Sequence, residues 1–276
     1  MRVLAAIFLI VGLAPTVLAG EILYSRSTGA WMAKESPGLY SALNILDDDK
    51  STVWCSAGKG KDAEIEILFS ERTSLDRMDV ATGNQISSDD FKAFSRVKEM
   101  VLKEGDMVHT VRLEDKLGAQ VITFDPSLSA ERLVLKIQGA YRGGKERHTC
   151  LSDVIFYKGK KAVNGKDLGK AVRKRVSAQT YMDTWVSGTE GIREREVVFG
   201  VSGTYRYLHV PNDLEGETVV KTGAWRLAGT DLEVQVDKKW IPVKVKRDDA
   251  DRVIKLKIED GLLAGVYERR KQQNTE

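Results

Sequence analysis

Three consecutive aspartates, Asp47, Asp48 and Asp49, stand a few positions ahead of the pair Trp54–Cys55 in the stretch NILDDDKSTVWC. Carboxylates at this density can cage a hard cation, act as an acid/base pair, or solvate a turn that leads into a core strand. Acid/base work needs a cleft that drives one pKa away from the other, and three neighbouring aspartates on a turn give no sign of that. The only two cysteines are Cys55 and Cys150. An even pair of this kind in an oxidising compartment is expected to form a bridge, and closing so long a loop contributes about 4 kcal/mol in the chain-entropy model. A Cys55 nucleophile served by His148 is the sharper alternative, but a disulfide would consume the thiol and no separate acid is signalled to orient the imidazole. His109, His148 and His209 are widely separated. The sequence has no Gly-rich phosphate loop, paired metal-ligand histidines or nucleophile elbow, so no catalytic motif is found.

The elements that must position these groups follow a start, MRVLAAIFLIVGLAPTVLAG, that reads as a secretory signal over residues 1–19 with cleavage after Ala19. The protein is therefore expected to be exported, to the periplasm or beyond, which disfavours nucleic acid as a partner. No later segment is long and apolar enough to span a bilayer as a helix. The whole chain carries 43 basic and 40 acidic side chains, a balance that says little. Their distribution says more. The run KGKKAVNGKDLGKAVRKR, from Lys158 to Arg175, holds eight cations against Asp167 alone. Its glycines and lack of aromatics read as a solvated linker, residues 158–176, or as a patch for an anionic envelope polymer.

Before the linker, residues 20–157 alternate apolar and polar in AEIEILF, RMDVATG, RVKEMVLK, HTVRLED, RLVLKIQGAY and SDVIFYKG, with one short helical turn near SPGLYSALNIL. Strands at this spacing without crossover helices imply an antiparallel sandwich. The segments YSALNILDDDKSTVWCSAGKGKDAEIEILF, GNQISSDDFKAFSRVKEMVL and AYRGGKERHTCLSDVIFY resemble the discoidin-like (F5/8 type C) domain named after the translocation domain of a bacterial NAD glycohydrolase. The resemblance implies a galactose-binding-like jelly roll that binds carbohydrate or a cell surface, without NAD hydrolysis. It also implies a structural calcium ion on Asp47, Asp49, Thr52 and Asp153, oxygens of the hard kind that calcium takes. Asp48 occupies the usual glycine position, and a metal-free acidic turn stays open beside the cage. Trp54 is expected in the core. Asn84, Gln85, Phe91, Tyr141 and Arg142 supply the amide, aromatic and guanidinium groups that sugar recognition uses.

Beyond the linker, residues 177–270 read as successive hairpins, and SGTYRY, GAWRLAGTDL and EDGLLAGVYER resemble lipocalin-like small barrels, with a polar tail at 271–276. Trp185, Tyr205, Tyr207 and Trp225 are expected to fill the barrel rather than line a ligand mouth. The fold class is thus all-β, a sandwich followed by a small antiparallel barrel. The expected function is an exported, non-catalytic protein that binds carbohydrate or envelope polymer. The alternatives are an envelope structural or assembly factor contacting proteins and, third, an unrecognised hydrolase.

Overall fold

The computed structural model describes residues 20–33, 35–36, 38–188, 195–210, 218–249 and 252–270; the expected signal at 1–19 and tail at 271–276 lie outside them. The first unit holds β1 (Ile22–Ser27), β2 (Trp54–Cys55), β3 (Glu64–Thr82), α1 (Ser88–Ala93), β4 (Ser95–Glu104), β5 (Met107–Arg112), β6 (Gln120–Tyr141), β7 (Thr149–Lys158) and β8 (Lys161–Ala162). Two of these strands are unusually long. β3 pairs with β1, β6 and β7, while β4 pairs with β5, β6 and β7, so hydrogen bonding runs around the jelly roll. Register shifts in β3 between Leu68 and Thr73 and between Leu75 and Arg77 let it bend from one layer to the other. Between the layers lies an apolar core that includes Ile65, Ile67, Phe69, Val80, Leu135, Val154 and Phe156, with Trp54 wholly buried among them. Cys55 pairs with Cys150 across β2 and β7, and the two sulfurs are bonded as expected.

The second unit is a closed eight-stranded antiparallel meander. Its strands are β9 (Thr184–Ser187), β10 (Arg195–Phe199), β11 (Thr204–His209), β12 (Val219–Ala228), β13 (Asp231–Val236), β14 (Lys239–Arg247), β15 (Val253–Ile258) and β16 (Gly265–Arg269). β16 closes back onto β9. Leu232, Val234 and Val236 alternate inward along β13, and a two-residue turn with positive φ at Asp237 and Lys238 feeds β14. Trp185, Tyr205, Tyr207 and Trp225 are all buried. Three of their polar tips are satisfied from within: Trp185 Nε1 donates to Tyr181 O, Trp225 Nε1 to Gly200 O and Tyr205 Oη to Gln235 O. These rings fill the barrel.

The segment expected as a solvated linker is ordered instead. It contains β8, α2 (Lys166–Lys174) and a 3-10 turn at Val176–Tyr181. Leu168, Ala171 and Val172 recur at helical spacing and turn toward the apolar cores, a pattern that the lysines and glycines around them obscured. The β-units also meet directly. Leu23, Tyr24, Leu43 and Leu68 of the sandwich belong to one apolar cluster with the barrel. Beside it, Tyr24 Oη donates to Glu66 (2.8 Å), Arg26 pairs with Asp183 (2.6 Å), and Arg132 pairs with Glu66. Burial works against the Glu66 carboxylate, but Arg132 and Arg26 outweigh it and hold its pKa below the ordinary range.

Candidate functional site

The aspartate loop begins where a 3-10 turn, Ala42–Leu46, ends; Ser41 Oγ accepts Leu43 N–H at its start. Asp48 takes φ 52°, a left-handed conformation that aspartate tolerates better than most residues. Thr52 Oγ1 lies 3.0 Å from both Asp47 carboxylate oxygens and donates within the loop, where Asp49 O also accepts at 3.0 Å. Asp153, on β7, faces this loop with 8% of its surface exposed, and its Oδ1 is buried with no hydrogen-bond partner. Asp47 is 1% exposed. Burial pushes Asp47 up to about 6 and Asp153 up to about 7, the latter raised further by the charges of Asp47, Asp48 and Asp49. Two sequestered carboxylates facing one another, one with an orphan oxygen, are costly unless a cation or a proton joins them.

Of the four expected ligands, Asp47, Thr52 and Asp153 converge. Asp49 does not. Its carboxylate accepts from Ser51 N (3.0 Å) and Ser51 Oγ (2.6 Å), and it pairs with Arg173 of α2 at 2.8 Å. Among the described residues no group of three or more His, Cys, Asp or Glu is arranged to hold a metal. A cation here would rest on two carboxylates together with hydroxyl and carbonyl oxygens, a mixture that suits calcium.

The residues expected to touch a ligand also make contacts that build the loops. Asn84 is buried, and its Oδ1 accepts Ile86 N–H. Gln85 Nε2 donates to Thr82 O (2.9 Å), while its Oε1 accepts Gly118 N–H (3.0 Å). Tyr141 Oη donates to Leu113 O. Phe91 is buried, its ring 5.1 Å from the Arg96 guanidinium. Gln85 and Tyr141 are half-buried, and Arg142 is exposed. The organiser is Arg96, which the sequence did not single out. It forms a two-pronged pair with Asp115 (2.6 and 2.8 Å) and donates to the carbonyls of Phe91, Phe94 and Arg142.

Another group that sequence reasoning missed gathers around the disulfide. Trp31 lies 4.7 Å from Tyr40 and 4.7 Å from His148, nearly parallel to the imidazole at 19°, and 5.4 Å from Phe94. Trp31, Tyr40 and His148 are only half-buried. His148 Nδ1 lies 2.9 Å from Ser56 O and must carry the proton, because a carbonyl only accepts. In the neutral ring this leaves Nε2 as an acceptor. Leu39 and Ile86 are 52% and 50% exposed, and they line a cavity of about 210 Å³ with Tyr40, Asn44, Arg173 and Gln179. The available signal was two aromatic residues in a stretch rich in Gly, Ser and Pro with no strand pattern, since binding groups concentrate on loops.

Comparison with known proteins gives a family match over residues 21–157, to the NAD glycohydrolase translocation F5/8 type C domain. No curated protein matches the chain. Among solved structures, the chain is similar to the CBM32-1 and CBM32-2 domains of Clostridium perfringens ZmpB in complex with GalNAc, at 21% identity and a TM-score of 0.39. That match covers 50% of this chain and 33% of the other. A family 32 CBM from C. perfringens NanJ, in complex with galactose, is similar at 12% identity and a TM-score of 0.38, covering 50% of this chain and 99% of that one. A chitosan-binding module of a Paenibacillus chitosanase/glucanase is similar at 14% identity and a TM-score of 0.37, over 49% and 94%.

Proposed function

Residues 21–157 are an F5/8 type C domain of the NAD glycohydrolase translocation type, and on that premise we propose that the protein is an exported, non-catalytic binder of carbohydrate or anionic envelope polymer. The observation that carries this reading is the half-exposed Trp31–Tyr40–His148 group at the loop end of the sandwich. Planar aromatic faces stack on the apolar face of a sugar ring, while imidazole and guanidinium groups bond its hydroxyls and acids. Arg142 and Arg147, both exposed, stand on the loop that ends at His148. A pull-down on cell-envelope polysaccharide across a salt series tests it. Trp31→Ala with Tyr40→Ala should lower retention at least tenfold at every salt concentration. Arg142→Ala with Arg147→Ala should chiefly flatten the salt dependence, since exposed cations act through forces screened beyond ~8 Å. Equal retention by wild type and the aromatic double variant would overturn the reading.

A structural calcium ion belongs to the same reading, on Asp47, Thr52 and Asp153 but without the Asp49 carboxylate. The orphan Asp153 Oδ1 is the observation in its favour. When bound, the ion would neutralise the two buried carboxylates and fix the loop. The alternative, an envelope assembly factor that contacts proteins, is favoured by the exposure of Leu39 and Ile86 at the same end of the molecule. Failure to retain any glycan, with capture of a defined envelope protein that Leu39→Ser abolishes, would favour it.

A further inference from the structure

α2 lies across the aspartate loop on one side and enters the barrel's apolar cluster on the other. Gly169 is buried against the loop, where a Cβ would stand 2.7 Å from Asp47 O and 2.9 Å from Asp47 Cβ. Just before the helix, Asn164 Nδ2 donates to Leu46 O (3.0 Å) and Val154 O (2.9 Å), while its Oδ1 accepts Phe156 N–H. One side chain thus ties the start of α2 to the loop that carries Asp47 and to the strand that carries Asp153. At the other end Arg175 Nη1 donates to Val201 O (3.2 Å) in the barrel, and Val172, Ala178 and Tyr181 pack in its cluster with Leu43.

From this geometry we infer that α2 couples cation binding in the sandwich to the seating of the barrel. The inference rests on the calcium reading above. Without a cation, Asp47 and Asp153 are two buried carboxyl groups, one with an oxygen that has no hydrogen-bond partner, and admitting water between them supplies that partner. β7 cannot yield, because it is hydrogen-bonded to β2, β3, β4 and β8 and nearly all of it is buried. α2 is the weaker wall. Its charged contact with the loop, Arg173–Asp49, is 49% and 32% exposed, and such pairs contribute little. Loss of the cation therefore lifts α2, and with it the Arg175 and Val172 contacts that seat the barrel.

Trypsin reads this directly, because Lys166, Lys170, Arg173 and Lys174 lie in α2. The full mature chain is digested in calcium and in a calcium chelator, with cleavage sites mapped by mass spectrometry and calcium binding followed in parallel by titration calorimetry. Calcium should slow cleavage within α2 at least tenfold, and Asp153→Asn should abolish both binding heat and protection. Calcium binding with an unchanged cleavage rate would overturn the coupling and leave the calcium reading standing. Absence of binding heat would overturn the calcium reading and the coupling with it. The wild-type comparison carries the test even if Asp153→Asn does not fold.

Discussion

Asp47 and Asp153 give the loop a pH dependence whose sign follows from burial. Unfolded aspartates titrate near ~4, whereas in the folded chain burial raises Asp47 to about 6 and Asp153 to about 7. The folded state then holds protons more tightly than the unfolded one. The stability these groups contribute is therefore fully present below about pH 4 and is lost as pH rises through 6 to 7. Lys50 opposes the shift on Asp153, and Arg173 and Thr52 oppose it on Asp47. In a calcium chelator the melting temperature should be higher near pH 5 than near pH 8, and Asp153→Asn should reduce that difference; a wild type that melts higher at pH 8 would contradict the assignment. Sequence reasoning grouped Asp47, Asp49, Thr52 and Asp153 because the resemblance aligns them. It could not see that Asp49 would be diverted, since its partner Arg173 lies 124 positions away. The same limit explains Gln85 and Tyr141: residue type announces hydrogen-bonding capacity, and only the fold decides that Gly118 and Leu113 take it up.

Strands were legible where one face is buried, because the period of two survives in the sequence, as along β13. α2 was not, because its few apolar residues serve contacts with other elements and its lysines dominate the composition. Close approaches between elements also leave no signature except glycine. Gly143 abuts the end of α1, and a Cβ there would stand 2.4 Å from Ala93 O and 2.4 Å from the Phe94 carbonyl carbon, backbone atoms that cannot step aside. Gly143→Ala should destabilise the sandwich by about 1–3 kcal/mol, the usual cost of overpacking, read as a lower midpoint in urea. An unchanged midpoint would mean that the α1 end and the 143–148 loop are free to part. The disulfide beside them makes a second demand. Reduction should cost about 4 kcal/mol for a separation of 95 residues, checked by urea titration with and without reductant.

At the scale of the whole molecule, the sandwich and barrel share an apolar cluster, and beside it the Arg26–Asp183 pair joins the sandwich to the segment that leads into the barrel, with Glu66 and Arg132 completing the network. Removing one partner of a buried pair leaves the other uncompensated, so Arg26→Met should destabilise by roughly 3–5 kcal/mol. Because that surface is common to both units, calorimetry should show one unfolding transition in the wild type and two in the variant. Two transitions in the wild type would show that each unit melts alone. The Cys55–Cys150 bridge also has a mechanical consequence. Tension along the backbone passes from Cys55 straight to Cys150, and the chain between them, a separation of 95 positions, is excused from the load. Extended fully, that stretch would span roughly 320 Å at ~3.4 Å per residue. Pulled from its ends in a force spectrometer, the oxidised protein should therefore lengthen by about that much less than the reduced one.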